Sequence, residues 1–522
     1  MEAHALRAAD SFSQARDEFD RLERRLQSGE TLRMSHSDLE SFIEKEGREL
    51  LRQLLQAHLD LRAGGKVNGP VVGADGVERT HHREGERKLE TLLGGVTVNR
   101  EGFGARGKPT LFPLDADLNL PIELFSFGVR RRAAEAAAQG SFDEAVKALT
   151  STSGAEIAKR QLEELVVSAA VDFDGFNAAR RAAWDSKAKK AGEILVLTFD
   201  GKGIPMRRED LREATRKAAE TRKPKLEKRL TKGEKRHTKR MAEVAAVYTI
   251  APFVREAADV IGDLRPDGTP KPARPKPEGK KLWASVEKEP AVVIEEAFQE
   301  ALSRDRQGQR KWVALVDGNA DQIRMVKAAA RRHRVQLTLV LDVIHVLEYL
   351  WDASYVFNAE ASPEAEEWVT ERLLWLLCGR AGQVAAGIRR SATKRGLDEA
   401  KRKPADRCAD YIARHRAMLR YDRCLEQGFP IATGVIEGAC RYLVRDRMEI
   451  TGARWSLEGA EAVLRLRSLR ASGDLEDYWR YHERMERERN HQDLYAGNAV
   501  PEMTPPGPPK PPRTKGPLRV VK

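Results

Sequence analysis

The chain has 522 residues, a formal net charge of +12 and a charged fraction of 33%. This length predicts three or four domains, and the positive excess favours a polyanionic partner such as DNA or RNA. The sequence argues against a membrane anchor, because no apolar run approaches the roughly 20 residues that span a bilayer. The four cysteines, Cys378, Cys408, Cys424 and Cys440, form no CxxC pair, which argues against a zinc site and predicts reduced thiols that act as buried apolar filler.

The N-terminal part of the chain predicts three modules: residues 1–63 as a helical arm, 64–122 as a small β-containing module, and 123–180 as a helix-turn-helix-like DNA-binding region. In the third module, Gly140 and Ser141 separate two short helical patterns, and Ser141 is expected to cap the second. The next helical pattern carries Lys159 and Arg160 early, where a recognition helix meets DNA. A plain three-helix bundle accounts for the same pattern equally well.

Five apolar, β-branched runs follow, and they predict a sheet. They cover residues 194–199, 244–250, 282–286, 312–316 and 335–341, with helical patterns before the fourth and the fifth. The order β-β-β-α-β-α-β is that of the ribonuclease H fold, in which the first and fourth strands lie side by side. We therefore predict an α/β catalytic domain of ribonuclease H-like fold, with its first part at 190–345.

Three carboxylates have settings that suggest one metal site. Asp200 and Asp317 each close an apolar run and precede a glycine, and Glu437 opens a helical pattern. Two strand ends and a helix that converge can hold a pair of divalent cations for in-line phosphoryl transfer. Each residue alone has a structural explanation, as an Asp-Gly turn or as an ion pair between Glu437 and Arg441. Their order along the chain favours a nuclease-like or transposase-like site.

The region between the fifth strand and Glu437 predicts an all-helical insertion. Residues 346–430 are helical in pattern and carry Trp351, Trp368 and Trp375, so the insertion would split the catalytic fold. Residues 431–490 would then form the last part of the catalytic domain, including the glutamate helix. The Pro-rich residues 491–522 predict a disordered tail.

The blocks around Glu437 resemble bacterial insertion-sequence transposases of the DDE type, most closely those of the Kra branch. The specific motifs are Gly434-Val435-Ile436-Glu437-Gly438-Ala439-Cys440-Arg441, Asp446-Arg447-Met448 and Thr451-Gly452-Ala453-Arg454-Trp455, with Phe112-Pro113-Leu114-Asp115 and Asn119-Leu120-Pro121 further upstream. The resemblance covers most of the chain.

This resemblance implies that Asp200, Asp317 and Glu437 are the catalytic residues and hold two Mg²⁺ ions, for which Mn²⁺ can substitute. Similar transposases with a helical insertion carry a Cys/Asp-x-x-His motif, matched here by Asp342 and His345. Asp342 is therefore the rival for the second metal ligand, although Asp317 is favoured because it ends the fourth strand. His345 would orient Asp342 or contact a phosphate, or serve as a structural histidine.

A second group of residues is expected to contact DNA. The basic stretch after the first strand would contact phosphates, as would two arginines placed at i+4 and i+8 from Glu437 on its helix face. Trp351 would stack on an extruded base, or else be a core aromatic. These expected contacts are Arg207, Arg208, Lys223, Lys225, Arg229, Arg236, Arg441, Arg445 and Trp351.

Together these features predict a DDE transposase that cleaves and transfers DNA strands at insertion-sequence ends. The expected partner is double-stranded DNA with terminal inverted repeats, bound by a homodimer or higher oligomer in a synaptic complex. The expected location is the bacterial cytoplasm, at the nucleoid. Two alternatives stay open: a ribonuclease H-like nuclease without strand transfer, and a domesticated, non-catalytic DNA-binding protein.

Overall fold

The computed structural model describes residues 11–184, 192–220, 238–264, 273–432 and 434–505. The chain forms two compact units, one comprising Met1–Asp172 with Glu476–Lys522 and the other Phe173–Leu475. The boundary at 475 and 476 lies inside the range 431–490 that the sequence assigned to the catalytic domain. None of the described helices is both long and apolar enough to cross a membrane.

The described strands are β1 Lys66–Val67, β2 His81–Thr91, β3 Gly94–Gly104, β4 Ile194–Pro205, β5 Lys239–Ile250, β6 Glu278–Ser285, β7 Lys311–Val316, β8 Leu337–Leu341 and β9 Met503–Thr504. The described helices are α1 Ser13–Leu26, α2 His36–Ala63, α3 Pro113–Asp117, α4 Phe127–Gln139, α5 Phe142–Thr152, α6 Lys159–Ser168, α7 Phe173–Ala182, α8 Glu213–Glu220, α9 Ala257–Leu264, α10 Pro290–Arg304, α11 Ala320–Arg332, α12 Val343–Ser354, α13 Pro363–Leu377, α14 Ala381–Lys394, α15 Glu399–Arg414, α16 Tyr421–Glu426, α17 Gly434–Ala439, α18 Asp446–Met448, α19 Leu457–Ser472 and α20 Leu475–Asn490.

The first unit combines helices with a long β-hairpin. Strands β2 and β3 pair antiparallel, and Val96 and Val98 of β3 pack with Leu59 of α2 in a small apolar core. Helices α4, α5 and α6 occupy the three predicted helical patterns. The expected N-cap is confirmed, because Ser141 and Glu144 form a capping box at the start of α5.

The C-terminal residues of the chain fold back onto this first unit. The Tyr478 hydroxyl donates a hydrogen bond to the Ala169 carbonyl oxygen, 2.7 Å away, and β9 pairs with β1, placing Thr504 opposite Lys66. Residues 491–505, which the sequence placed in a disordered tail, are therefore ordered by pairing with a distant segment. The rest of that predicted tail, from 506 onwards, lies outside the described residues.

The second unit is built on a five-stranded mixed sheet with the order β6-β5-β4-β7-β8. Strands β4 and β5 pair antiparallel, whereas β4 with β7 and β7 with β8 pair parallel. The expected adjacency of the first and fourth strands is thus confirmed. Val196 and Val313 at their centre are completely buried, which explains why both strands read as continuous apolar runs.

Helices cover this sheet, and those that follow β8 form the segment predicted as an insertion. Residues 343–432 contain α12 to α16 and no strand, and Val346, Leu350 and Ile388 join Val196 and Val313 in one apolar core. Beyond them lies α17, which passes into a π-helical segment, Cys440–Arg445, and then into α18.

Candidate active site

Asp200 lies within β4, the central strand of the sheet, and this placement corrects the expectation that it ends the strand. The strand continues to Pro205, because residues 200–205 pair with β5, where Pro205 lies opposite Lys239. Gly201 therefore takes part in the ladder opposite Glu243 and does not form a turn. The Asp200 carboxylate accepts a hydrogen bond from the Cys440 thiol, with 3.0 Å between Sγ and Oδ2.

Asp317 follows directly after β7 and lies at the same level of the sheet as Asp200. Thr198 of β4 is the register partner of Leu315 of β7, and the two aspartates stand two residues further along each parallel strand. The predicted turn is confirmed at Gly318, whose φ of +97° favours glycine. The Asn319 amide donates to Asp317 Oδ1 over 2.8 Å, which fixes one side of the carboxylate.

Glu437 lies on the short helix α17, as expected, and within the electrostatic range of other acids. Its side chain is exposed, yet partial desolvation raises the pKa of its carboxyl. The negative charges of Asp342, Glu348 and Asp200 raise this pKa further, while His345 opposes them. The helix and the sheet therefore bring Glu437 and Asp200 into one acidic cluster.

Asp342, the rival for the second metal position, is buried at the end of β8. Its side chain caps α12 by accepting a hydrogen bond from the Ile344 amide at 2.8 Å, so it has a structural role there. Its charge nevertheless acts on Glu437, whereas the charge of Asp317 acts on Glu243. Both aspartates thus belong to the acidic cluster.

Glu243 is a site residue that the sequence analysis missed. It lies on β5 and is only 7% exposed, and Gln322 of α11 donates to its Oε1 over 3.1 Å. Burial, together with the charges of Asp200 and Asp317, raises the pKa of Glu243 to about 7. The available signal was a glutamate in the middle of an apolar strand run, because a carboxylate there needs a specific reason.

Cys440 also has a role that the sequence did not indicate. Cys440, Cys408 and Cys424 are buried, as expected for filler, but Cys378 is exposed, which corrects that part of the expectation. Burial and the neighbouring Asp200 raise the pKa of the Cys440 thiol, so the thiol stays protonated and donates to the carboxylate.

A cleft of about 500 Å³ opens beside Asp317, between the sheet edge and the inserted helices. Its acidic lining includes Glu348 and Asp352, and its basic lining includes Arg407 and Arg414. The lining is therefore of mixed charge, and Arg407 lies 2.5 Å from Asp352 within it.

His345 and Trp351 differ in their relation to this cleft. His345 lines the cleft, and its Nδ1 lies 3.3 Å from Glu348 Oε2. Trp351 is half-buried, packs against the apolar core and lies near the Tyr355 ring, at 5.9 Å between centroids. The aromatic residue of α12 that lines the cleft is instead Tyr349.

The two arginines that follow Glu437 do not extend a regular α-helical face. The π-helical segment Cys440–Arg445 has i→i+5 hydrogen bonds, which breaks the α-helical i, i+4, i+8 alignment that the sequence analysis assumed. Both side chains are exposed, Arg441 lying 3.7 Å from Asp446 and Arg445 lying 3.9 Å from Glu449. They remain available to a polyanion.

The other expected DNA contacts are exposed where the structure describes them. Lys159 pairs with Asp143 at 2.8 Å, and Arg160 is paired with Glu164 at 3.2 Å. Arg207 and Arg208 are exposed just after β4. Four further predicted contacts lie outside the described residues, namely Lys223, Lys225, Arg229 and Arg236.

In the described part of the chain, one group brings three potential ligand atoms within 4.8 Å of one another: Asp172, His482 and Glu486, all in the first unit. Arg130 already contacts this group, at 2.9 Å from His482 Nε2 and 3.0 Å from Glu486. Arg489 lies 3.1 Å from both Asp172 oxygens. The three side chains could hold a metal ion, and in this structure two guanidinium groups already supply positive charge to them in an ion-pair network.

No protein-family model and no curated protein sequence matches the chain. Among solved structures, the chain is similar to the Drosophila P element transposase strand transfer complex, with 11% sequence identity and a TM-score of 0.23. The match covers 70% of this chain and 84% of that chain.

Proposed function

We propose that the chain is a metal-dependent DNA transposase whose second unit is a ribonuclease H-like catalytic domain interrupted by helices. One observation carries this proposal: Asp200 and Asp317 stand at the same level of two adjacent parallel strands, with the charge of Asp200 acting on Glu437. The resemblance of the Glu437 block to DDE transposases supports the same assignment.

The donor set suits the expected metal. Asp200, Asp317 and Glu437 offer only carboxylate oxygens, which are the ligands that Mg²⁺ and Mn²⁺ prefer. The charge of Asp200 raises the pKa of the Glu437 carboxyl, because like charges that share a site repel, and a bound cation would offset this repulsion. Two Mg²⁺ ions held there would supply activation of the attacking oxygen and stabilisation of the leaving oxygen.

The chain's own residues would bind and orient the DNA. The exposed arginines Arg441, Arg445 and Arg207 would contact phosphates, and the cleft beside Asp317 would admit the strand. The partner is then double-stranded DNA with terminal inverted repeats. Because transfer requires two ends to be held together, we propose a homodimer or higher oligomer in the synaptic complex, acting in the bacterial cytoplasm.

The test is strand cleavage and transfer by Asp200→Asn, Asp317→Asn and Glu437→Gln variants on DNA carrying the element's ends. Each variant should lose cleavage by orders of magnitude, because each removes a metal ligand, while DNA binding survives or tightens as charge repulsion falls. Mn²⁺ should support the reaction, and Ca²⁺ should support assembly without efficient cleavage.

Asp342→Asn is the matched control, and it should reduce cleavage less than Asp317→Asn does. Complete loss in Asp342→Asn together with near-normal cleavage in Asp317→Asn would move the second ligand to Asp342. Cleavage without any joining of DNA ends would identify a nuclease, and wild-type protein that binds ends without cutting would identify a non-catalytic DNA-binding protein.

A further inference from the structure

Two tyrosines of the inserted helices reach the ends of the two strands that lead into Asp317 and Asp342. The Tyr411 hydroxyl, on α15, donates to the Asp317 carbonyl oxygen over 2.7 Å. The Tyr421 hydroxyl, at the start of α16, donates to the Leu341 carbonyl oxygen over the same distance. Each bond therefore fixes the backbone at, or directly before, one aspartate of the acidic cluster.

The packing of Tyr411 leaves its hydroxyl little freedom. The ring stacks on Tyr349 with centroids 3.9 Å apart and planes 13° apart, and it meets His415 edge-on at 4.6 Å. On its other side it lies against Gly318, where an added Cβ would come within 2.7 Å of the ring. A side chain at position 318 is therefore disfavoured for two reasons. The positive φ of Gly318 favours glycine, and the Tyr411 ring leaves no room for a Cβ.

Tyr421 is held even more firmly, since it is completely buried. Burial raises the pKa of both phenols, so each stays protonated and acts as a donor at any working pH. The Asp317 carbonyl group lies directly after β7 and the Leu341 carbonyl group on the last residue of β8, and both need hydrogen-bond partners. The inserted helices supply those partners.

We infer that Tyr411 and Tyr421 are positioning residues through which the helical insertion sets the orientation of the Asp317 and Asp342 carboxylates. The role of these carboxylates toward a metal rests on the proposed function, but the positioning does not. Each carboxylate has its own reporter, because the Asn319 amide donates to Asp317 and the Ile344 amide donates to Asp342, both at 2.8 Å.

The experiment is hydrogen exchange resolved to single amides, on the full-length, metal-free protein. Tyr411→Phe keeps the ring and removes the hydroxyl, so exchange at Asn319 should accelerate about tenfold or more as the turn loosens, with β7 unchanged. Tyr421→Phe should do the same at Ile344 and leave Asn319 protected. Tyr349→Phe is the control: it removes a hydroxyl from the same ring stack and should change neither amide.

A second measurement is Mn²⁺ affinity by electron paramagnetic resonance, where Tyr411→Phe should weaken binding about 10- to 100-fold, as loss of an outer-shell partner does. Unchanged exchange at Asn319 in Tyr411→Phe, or an equal change in Tyr349→Phe, would overturn the inference. If wild-type protein neither bound Mn²⁺ nor cut DNA, the proposed function would fail while the exchange data still decided the positioning role.

Discussion

At the scale of single residues, the Asp200 carboxylate depends on contacts from two parts of the chain. The pairing of β4 with β5 sets its height on the sheet, and the Cys440 thiol, from the π-helical segment, contacts its Oδ2. A thiol is a weak donor, but Cys440 is buried and its Sγ lies 3.0 Å from the carboxylate oxygen. Its hydrogen bond therefore restricts the rotation of the carboxyl group.

The corresponding prediction concerns Cys440→Ala, which removes the donor while keeping a small apolar side chain. Single-turnover cleavage should slow about tenfold or more, in line with the loss of other contacts that orient metal ligands, while end-DNA affinity stays the same. Cys440→Ser restores a donor at nearly the same place and should recover much of the rate. Equal rates in Cys440→Ala and wild-type protein would contradict a role for this hydrogen bond.

At this scale the sequence predicted a local turn better than it predicted pairing between distant segments. The turn at Asp317 could be predicted because Asp-Gly after an apolar run has a local cause, namely the positive φ of Gly318. The extension of β4 past Asp200 could not, because it depends on pairing with β5, which starts 39 residues later at Lys239. The charges of Asp200 and Asp317 that act on Glu243 could not be predicted for the same reason, since both residues are distant from it in sequence.

At the scale of elements, the position of α10 depends on a buried charge cluster. Glu300 of α10 is 1% exposed and contacts Arg304 on the same helix at 2.7 Å and Arg180 of α7. Burial alone would raise the pKa of Glu300, but the two arginines outweigh burial and lower it to about 2. The ionised carboxylate therefore links two helices next to the sheet.

This shift predicts how stability depends on pH. The folded pKa of about 2 lies below the ordinary value of 4.5, so Glu300 stabilises the fold fully above pH 4.5 and loses that effect as pH falls through 2. Glu300→Gln should lower the free energy of unfolding at pH 7 by about 3 kcal/mol and leave a smaller difference from wild type below pH 4.5.

The measurement is urea unfolding followed by tryptophan fluorescence. This signal reports the second unit, because Trp479 alone among the eight tryptophans lies outside it. Glu213→Gln is the control, since Glu213 pairs with Lys217 on an exposed helix and should change stability by less than about 1 kcal/mol. A pH-independent difference between Glu300→Gln and wild type would show that the cluster is held by packing.

The sequence predicted the strands of the sheet well, because buried strands have long apolar runs whatever their partners. It could not predict the π-helical segment after Glu437, since α- and π-helices use the same residues and differ only in hydrogen-bond register. That difference matters here, because it changes which side chains share a face with Glu437.

At the scale of the whole molecule, the ends of the chain form one unit. Tyr478 and β9 bind to partners more than 300 residues earlier, so neither could be placed by local sequence patterns. This arrangement also affects experiments on DNA recognition. Deleting 64–180 would remove the Ala169 carbonyl and the Asp172 carboxylate that α20 contacts, so loss of binding in such a deletion could reflect unfolding.

Point substitutions in α6 therefore test whether the first unit recognises the element's ends. Lys159 and Arg160 start this helix and are exposed, each paired with an acid that DNA phosphates could replace. Replacing both with glutamine should reduce the ratio of end-DNA affinity to random-DNA affinity about tenfold or more, because contacts to base edges are worth about 1–3 kcal/mol each. The salt dependence of binding to random DNA should remain, since the other exposed cations of the chain still contact phosphates.

The matched control replaces Arg480 and Arg484 with glutamine. These two arginines of α20 are exposed, belong to the same unit and also pair with nearby acids. It removes the same charge from the same unit, so any general electrostatic effect on binding appears in both variants. The affinity ratio, measured by titration of both DNAs at several salt concentrations, should fall in the α6 variant and stay constant in the control. An unchanged ratio in the α6 variant would show that these two residues contact only phosphates and that the ends are read elsewhere.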